Sequence, residues 1–386
     1  MSMRLKNGRT TGCARRSAFV FSLWLCAVVA ARGASITWDG GGGNTSWNTA
    51  LNWSDNNLPA STNAYTIAVA GGSNTTVGAS HAIQKYVYDY NGIGSLAGGS
   101  GGPYTLTLNN GAGGVVLHLD VGWLYIVSND VNIALGANSS VLVNDVDGNL
   151  VLEGVVSGAG SVLIKVGPGR LTLTGVNTYD GSTFIATGVV AAAAETALGG
   201  TGQNVTINAN GPRCAALGYL GTALTQALLT NRVASGSGGA VAMGADTSGN
   251  LDFTGLGTRL GALTNASYTG TLTPSGSVYR VGGGGGRLTF PNADTFVDSG
   301  GARELDVNLT AGSSNKVLIS AANTYSGGTV LVGTGSGTTE QTLELQANGA
   351  LGTGGVTLKG GTITFSAVPP SAVSAAAATT PVAMKV

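Results

Sequence analysis

A stretch of fifteen residues occurs twice in this chain. Leu171-Thr-Leu-Thr-Gly-Val-Asn177-Thr-Tyr179-Asp-Gly181-Ser-Thr-Phe-Ile185 returns as Val317-Leu-Ile-Ser-Ala-Ala-Asn323-Thr-Tyr325-Ser-Gly327-Gly-Thr-Val-Leu331. Each copy is followed by Ala-Leu-Gly, beginning at Ala197 and at Ala350. A unit this short cannot bury its own apolar face, so a chain built from it must stack the units on one another. In such a stack Asn177 and Asn323 suit a tight turn or an inward amide ladder.

The sequence around the repeats fits stacking. Tyr104–Leu108, Val115–Val121, Trp123–Val127, Ser140–Val143, Leu150–Leu152 and Ser161–Val166 alternate Val or Leu with Thr, Ser or Asn. Each run is bounded by Gly, Asn or Asp, as expected for short strands with one buried side. Alternation alone is equally compatible with a sandwich or barrel, and the internal repeat decides for an all-β parallel solenoid. Coils of about 20 residues spaced ~4.8 Å apart give roughly a dozen layers from 103 to 366. Only 9% of residues are charged while glycine numbers 65, so Thr, Ser, Asn and backbone must face water.

Four segments are expected. Residues 1–33 read as a secretory signal: a basic start through Arg16, an apolar run from Ser17 to Ala31, then small residues up to Gly33. The run is too short to span a bilayer, which takes about 20 residues, so no membrane span is expected after cleavage. Six basic residues and no acidic ones precede Gly33; their removal leaves 12 basic of 18 against 18 acidic, a net charge of −6. Such a chain has no footprint for nucleic acid. Residues 34–102, with Trp38, Trp47 and Trp53, are read as an N-terminal Trp-rich β cap of hairpin-like strands that shields the first layer. Residues 103–366 form the solenoid, with the repeats near 171–190 and 317–336. The helix formers between Cys214 and Val233 interrupt it as a short helix or an irregular coil. Residues 367–386 are an Ala/Pro-rich tail of linker character.

Val317–Val332, with Asn323-Thr-Tyr325-Ser-Gly-Gly-Thr329, resembles the autotransporter-associated beta strand repeat, and Leu171–Ile185 resembles it more weakly, Asp180 and Ser182 departing from the pattern. Tyr268-Thr-Gly-Thr-Leu-Thr-Pro274 and Trp38-Asp-Gly with Asn52-Trp53 extend the likeness. The resemblance implies right-handed parallel β-helical passengers of secreted or cell-surface proteins, often without an assigned activity. Members of that kind carry a C-terminal membrane barrel, and the residues after Phe365 hold no alternating strands of ~10 residues. A simply secreted chain, or a fragment, is therefore expected.

Chemistry-bearing residues are sparse. Cys13 and Cys26 leave with the signal, so Cys214 has no disulfide partner. Gly98-Gly-Ser100-Gly-Gly102 matches a nucleophile elbow in letters but sits in a glycine run without a histidine partner nearby. His81 and His118 are far apart, and His118 alternates out of phase with Leu117 and Leu119, toward solvent. Asp145, Asp147 and Asn149 present oxygens at alternate positions, but Leu150 stands where a calcium loop needs glycine, and an Asp-Gly turn or coil corner explains them. No catalytic residue, metal or cofactor is expected. Tyr86, Tyr88 and Tyr90 share one face of a strand; with Trp38, Trp47 and Trp53 they form the candidate ligand-binding set, a stacking platform for an extracellular glycan, or else pack under the cap. The reading is a secreted or cell-surface structural or adhesive protein without catalytic activity. Its alternative is a carbohydrate-active β-helix enzyme, with Asp294, Asp298, Glu304 and Asp306 gathered by coil stacking.

Overall fold

A computed structural model describes residues 34–59, 65–69, 74–200, 202–208, 215–309, 315–333 and 341–366, with two short strands at 375–376 and 383–385. The signal segment 1–33, Cys214 and most of the 367–386 tail lie outside the described residues.

The chain is an all-β parallel solenoid. Its longest sheet has fourteen strands, starting at Asn74–Val77 and ending at Ala375–Ala376. Over 103–366 the coils number about 11, close to the dozen expected. The step between paired residues varies from 19 (Arg170 to Val189) to 31 (Ser95 to Ile126), because the corners absorb insertions while the ladders keep register, apart from a bulge where Ser140 and Val141 face Val115 and Leu117. A second sheet of eight strands runs from Ala34–Trp38 to Val205–Ile207, and a sheet of six begins at Ala266–Ser267. Buried apolar side chains from successive coils fuse into one continuous core, as stacked half-buried strands require.

Residues 34–102 differ from expectation in pairing. The strands there are parallel, not hairpins: Ala34–Trp38 pairs with Tyr65–Val69, which pairs with Lys85–Tyr88, which pairs with Gly114–Leu119. Among the described residues of this segment, antiparallel geometry appears at one bridge, between Trp38 and Trp53. The alternating pattern is the same for either direction, and the long corners allow the parallel one.

Between 208 and 266 the eight-stranded sheet has ended and the six-stranded one has not begun, while the long sheet continues and a two-stranded sheet, Leu251–Asp252 with Leu272–Thr273, starts beside it. Here stands a short helix, Gln226–Asn231, capped by the Thr225 hydroxyl, which accepts from the Leu228 N–H at 3.4 Å. The Gln226 amide reaches back to the next coil. Its Oε1 accepts from Asp252 N–H (2.7 Å) and its Nε2 donates to Asp252 O (3.1 Å), so one side chain covers an otherwise open strand edge.

The long sheet also curls in this region. Its strands Val189–Ala192 and Ala240–Met243 are buried on both faces. The outward residues Val189, Ala191, Ala216, Ala240 and Ala242 form a second small core with Leu263. Arg170 donates from Nη2 to Leu263 O at 3.3 Å, although four ladder steps separate Arg170 from Arg259. A straight sheet would put those rows about 19 Å apart. Small side chains permit the curvature: a Cβ on Gly218 would lie 2.6 Å from Leu263 Cγ.

Candidate functional site

The repeated motif resolves into two equivalent coil clamps. Asn177 and Asn323 are each 4% exposed. Asn177 Oδ1 accepts from the Val156 N–H of the preceding coil (2.7 Å), and its Nδ2 donates to Ala197 O of the following coil (2.6 Å). Asn323 does the same between Phe296 N–H (2.9 Å) and Ala350 O (3.0 Å). One primary amide, with a donor and an acceptor at opposite edges, satisfies two buried backbone groups that no strand ladder reaches. This is the inward amide of the sequence reading, and it explains why Ala-Leu-Gly follows each copy.

The tyrosines complete the clamp. Tyr179 and Tyr325 are fully buried, and their hydroxyls pair with Thr183 Oγ1 at 2.7 Å and Thr329 Oγ1 at 2.5 Å. Burial pushes the Tyr179 phenol up to about 12 and that of Tyr325 higher still. Each ring is covered by the glycine of the next coil, Gly199 (φ +82) or Gly352 (φ +62), where a Cβ would meet ring carbons at 2.7 and 3.0 Å. Gly181 and Gly327 are needed for close approach, since a Cβ would lie 2.3 Å from Ser161 O and 2.5 Å from Arg303 O.

The two copies differ at one position in a compensated way. Asp180 accepts from Gly160 N–H of the coil below. In the other copy Ser326 stands there, and the carboxylate belongs to the lower coil: Asp298 Oδ2 accepts from Ser326 Oγ at 2.6 Å. The Ser326 hydroxyl, and after it the Arg303 and Ser326 N–H groups, hold the Asp298 carboxyl below its usual range.

Two buried basic side chains, those of Lys165 and Arg232, donate to backbone carbonyls at coil corners. Lys165 occupies the core-facing column between Val141 and Ile185, and its ammonium donates to Val166 O (2.8 Å) and Gly167 O (2.7 Å). Burial lowers its pKa to about 7. Arg232 donates to Gly200 O and Leu198 O at 3.0 and 2.8 Å, tying the Ala197-Leu-Gly turn to the coil beyond.

The candidate ligand-binding aromatics lie mostly inside. Trp38, Trp47, Trp53, Tyr86 and Tyr88 are at most 2% exposed, and Tyr90, past the end of its strand, is half-buried against the core. Trp53 meets Trp38 and Trp47 edge-on at 5.5 and 5.3 Å, and Trp47 stacks on Tyr86 at 5.9 Å. Tyr86 and Tyr125 share a hydroxyl hydrogen bond of 2.5 Å. The five buried rings therefore present no face on which a sugar could stack, because they pack on one another.

The remaining candidates disperse. His81 packs on Trp47 at 5.6 Å. His118 lies on the outer face, with Lys85 Nζ at 3.2 Å and Asp120 Oδ1 at 3.4 Å; burial, more than the charge of Lys85, lowers its pKa. Ser100 lies in a loop, its carbonyl taking the Tyr104 hydroxyl. Asp145 Oδ1 accepts from Asp147 N–H in a coil corner. Asp306 faces Arg259 at 3.6 Å, whereas Asp298 serves Ser326, so the acidic group divides between separate partners. Among the described residues no three His, Cys, Asp or Glu side chains converge as metal ligands, and no helix is long and apolar enough to cross a membrane. A groove of about 540 Å³ lies beside the short helix, between Asn204, Leu229, Thr230, Asp252 and Leu256.

Comparison with known families matches the passenger-associated-transport-repeat at residues 163–192 and 311–333, the two segments that hold the clamps. No curated protein and no solved structure matches the chain.

Proposed function

We propose that this chain, which carries two passenger-associated-transport repeats on a parallel β-solenoid, is an exported, passenger-like structural protein that works at or beyond the cell surface without catalysis. The repeats and the solenoid fit an autotransporter passenger-like structural protein, and the family association points to an extracellular or surface location.

The observation that carries this reading is the use made of the repeat's polar side chains. Asn177 and Asn323 are directed inward to the backbone of both neighbouring coils, and the buried Tyr179 and Tyr325 bond Thr183 and Thr329 of their own coil beneath the glycine of the next. The motif is thus a stacking device, which suits a scaffold that presents its polar outer faces to extracellular material. The Trp38–Trp47–Trp53 cluster serves as the end cap: Trp47 N–H bonds Thr76 O, and Thr76 N–H bonds Thr45 O, along the first strand of the long sheet. The basic-then-apolar segment 1–33 supplies the export signal.

The test is to express the intact gene with an epitope tag in a Gram-negative host and follow the tag by fractionation and by protease added to whole cells. Export with loss of residues 1–33 is expected. A full-length tag confined to the cytosol sinks the proposal.

A further inference from the structure

All but Tyr90 of the tyrosine and tryptophan rings expected to meet a ligand are buried, yet among the described residues one large aromatic side chain, that of Trp123, is exposed. Trp123 is 45% exposed and Ile93, at the same corner one coil earlier, is 59% exposed. The corner lies between the eight-stranded and fourteen-stranded sheets. It is made by three successive connections: 89–93, 120–123 and 144–148.

The ring is held in place. Trp123 Nε1 donates to Asn91 Oδ1 at 2.6 Å, across coils, and Trp123 O accepts from Asn149 N–H of the next coil at 3.1 Å. An indole fixed at its polar edge keeps its exposed side available and loses little freedom when something stacks on it.

Short polar side chains frame it. A Cβ on Gly122 would lie 2.9 Å from Asp145 Oδ1, so the glycine beside Trp123 is what lets that carboxylate come over the corner. Asn144 Nδ2 donates to Asp120 Oδ1 at 2.6 Å, and His118 Nε2 faces the same oxygen, which leaves Asp120 Oδ2 and the Asn144 carbonyl oxygen for ligand hydroxyls.

We propose that the corner formed by Asn91, Asp120, Trp123, Asn144 and Asp145 binds a neutral, hexose-containing polysaccharide, with the apolar face of one sugar ring on the Trp123 indole. A pyranose offers an apolar C–H face for the ring and a rim of hydroxyls for carboxylate and amide oxygens, the combination present here. Charge selects among occupants. Asp89, Asp120, Asp145 and Asp147 surround the corner, and Lys85 is turned to His118; an acidic polysaccharide or nucleic acid is repelled, and a second copy would bring like charges together. The proposal uses the surface reading above only for where the polysaccharide is met; the binding itself stands apart from it.

The experiment is a binding titration of the intact secreted chain on an array of neutral glucans, mannans, galactans and arabinogalactans, with acidic uronans as comparators. Wild type is expected to bind a neutral glycan. Trp123→Ala should weaken that binding about tenfold or more and Trp123→Phe much less, with Asp145→Asn and Asn91→Ala in between. Because Trp123 is exposed, thermal melts of the variants should match wild type. Four outcomes overturn the proposal: no neutral glycan bound; preference for uronans; unchanged affinity in Trp123→Ala; or a change of oligomeric mass by light scattering in that variant, which would make the corner a self-association face. None of these would disturb the export assay, so the two readings fail separately.

Discussion

Two tyrosine-bearing coils with a full clamp, at Asn177–Tyr179 and Asn323–Tyr325, can be set against a third that lacks part of it. Tyr268 is fully buried and its neighbour Gly270 would place a Cβ 2.2 Å from Gly249 O, so ring and close-approach glycine are retained. But Ala266 stands two residues before the tyrosine, where the others have asparagine, and the Tyr268 hydroxyl bonds Thr271 O instead of a threonine hydroxyl. The coil stacks nonetheless, through a parallel pair of Ala266–Ser267 with Leu288–Thr289. The comparison teaches that a coil can stack without the inward asparagine when side chains of the coil below, here Asp246 and Asn250, take its Ser267 and Thr271 N–H groups, and that asparagine is needed where the adjoining coils leave backbone groups out of register with any strand.

Several substitutions would break or sharpen that contrast. Tyr179→Ala and Tyr325→Ala should each cost about 3–5 kcal/mol, the range for emptying a large buried aromatic site, and Tyr268→Ala a similar amount; chemical denaturation monitored by circular dichroism checks this. Asn177→Ala and Asn323→Ala should cost about 2–4 kcal/mol each, since one buried N–H and one buried C=O lose their partner. Ala266→Ser should change little, and a cost equal to that of the asparagine variants would refute the distinction drawn here. Tyr179→Phe and Tyr325→Phe should cost about 1 kcal/mol each, with Tyr268→Phe alike.

Lys165 provides a pH-dependent comparison within the first clamped region. Its folded pKa is lowered to about 7, so between there and the ordinary lysine range the unfolded chain binds more protons than the folded one. Stability should therefore rise with pH from about 7 upward and lose that contribution below about 7. Lys165→Met should flatten the rise and be the more stable form at pH 6. Thermal melts between pH 6 and 9 read this directly, and equal slopes in both proteins would rule it out.

Much of this was legible in the sequence, and the failures have physical causes. The Asn-Thr-Tyr-x-Gly repeat announced stacking, because a unit without a core of its own has no other use. Parallel pairing at 34–102 was hidden, since alternation is blind to strand direction. The fate of Tyr86 and Tyr88 was half visible: alternation puts them on one face, but only neighbouring coils decide that the face is inward. The exposure of Trp123 was not legible either. Trp123 shares phase with Tyr125 and Val127, which are buried, yet the strand begins at Leu124 and the corner turns the indole out. The curl of the long sheet did leave a trace, for Val189-Val-Ala-Ala192 and Ala240-Val-Ala-Met243 lack the polar alternate expected of an outward face.

The break in the lateral sheets has a mechanical meaning. Among the described residues, the fourteen-stranded sheet is the one named sheet that crosses 208 to 250 without a gap. A pulling force along the stack would be carried by continuous parallel ladders elsewhere, and there by the long sheet with scattered bonds beside it: Ala234 N–H to Val205 O, Gly238 N–H to Ile207 O, and the side chains of Gln226 and Arg232. That region would act as a fuse, yielding first and sparing the clamped coils on either side.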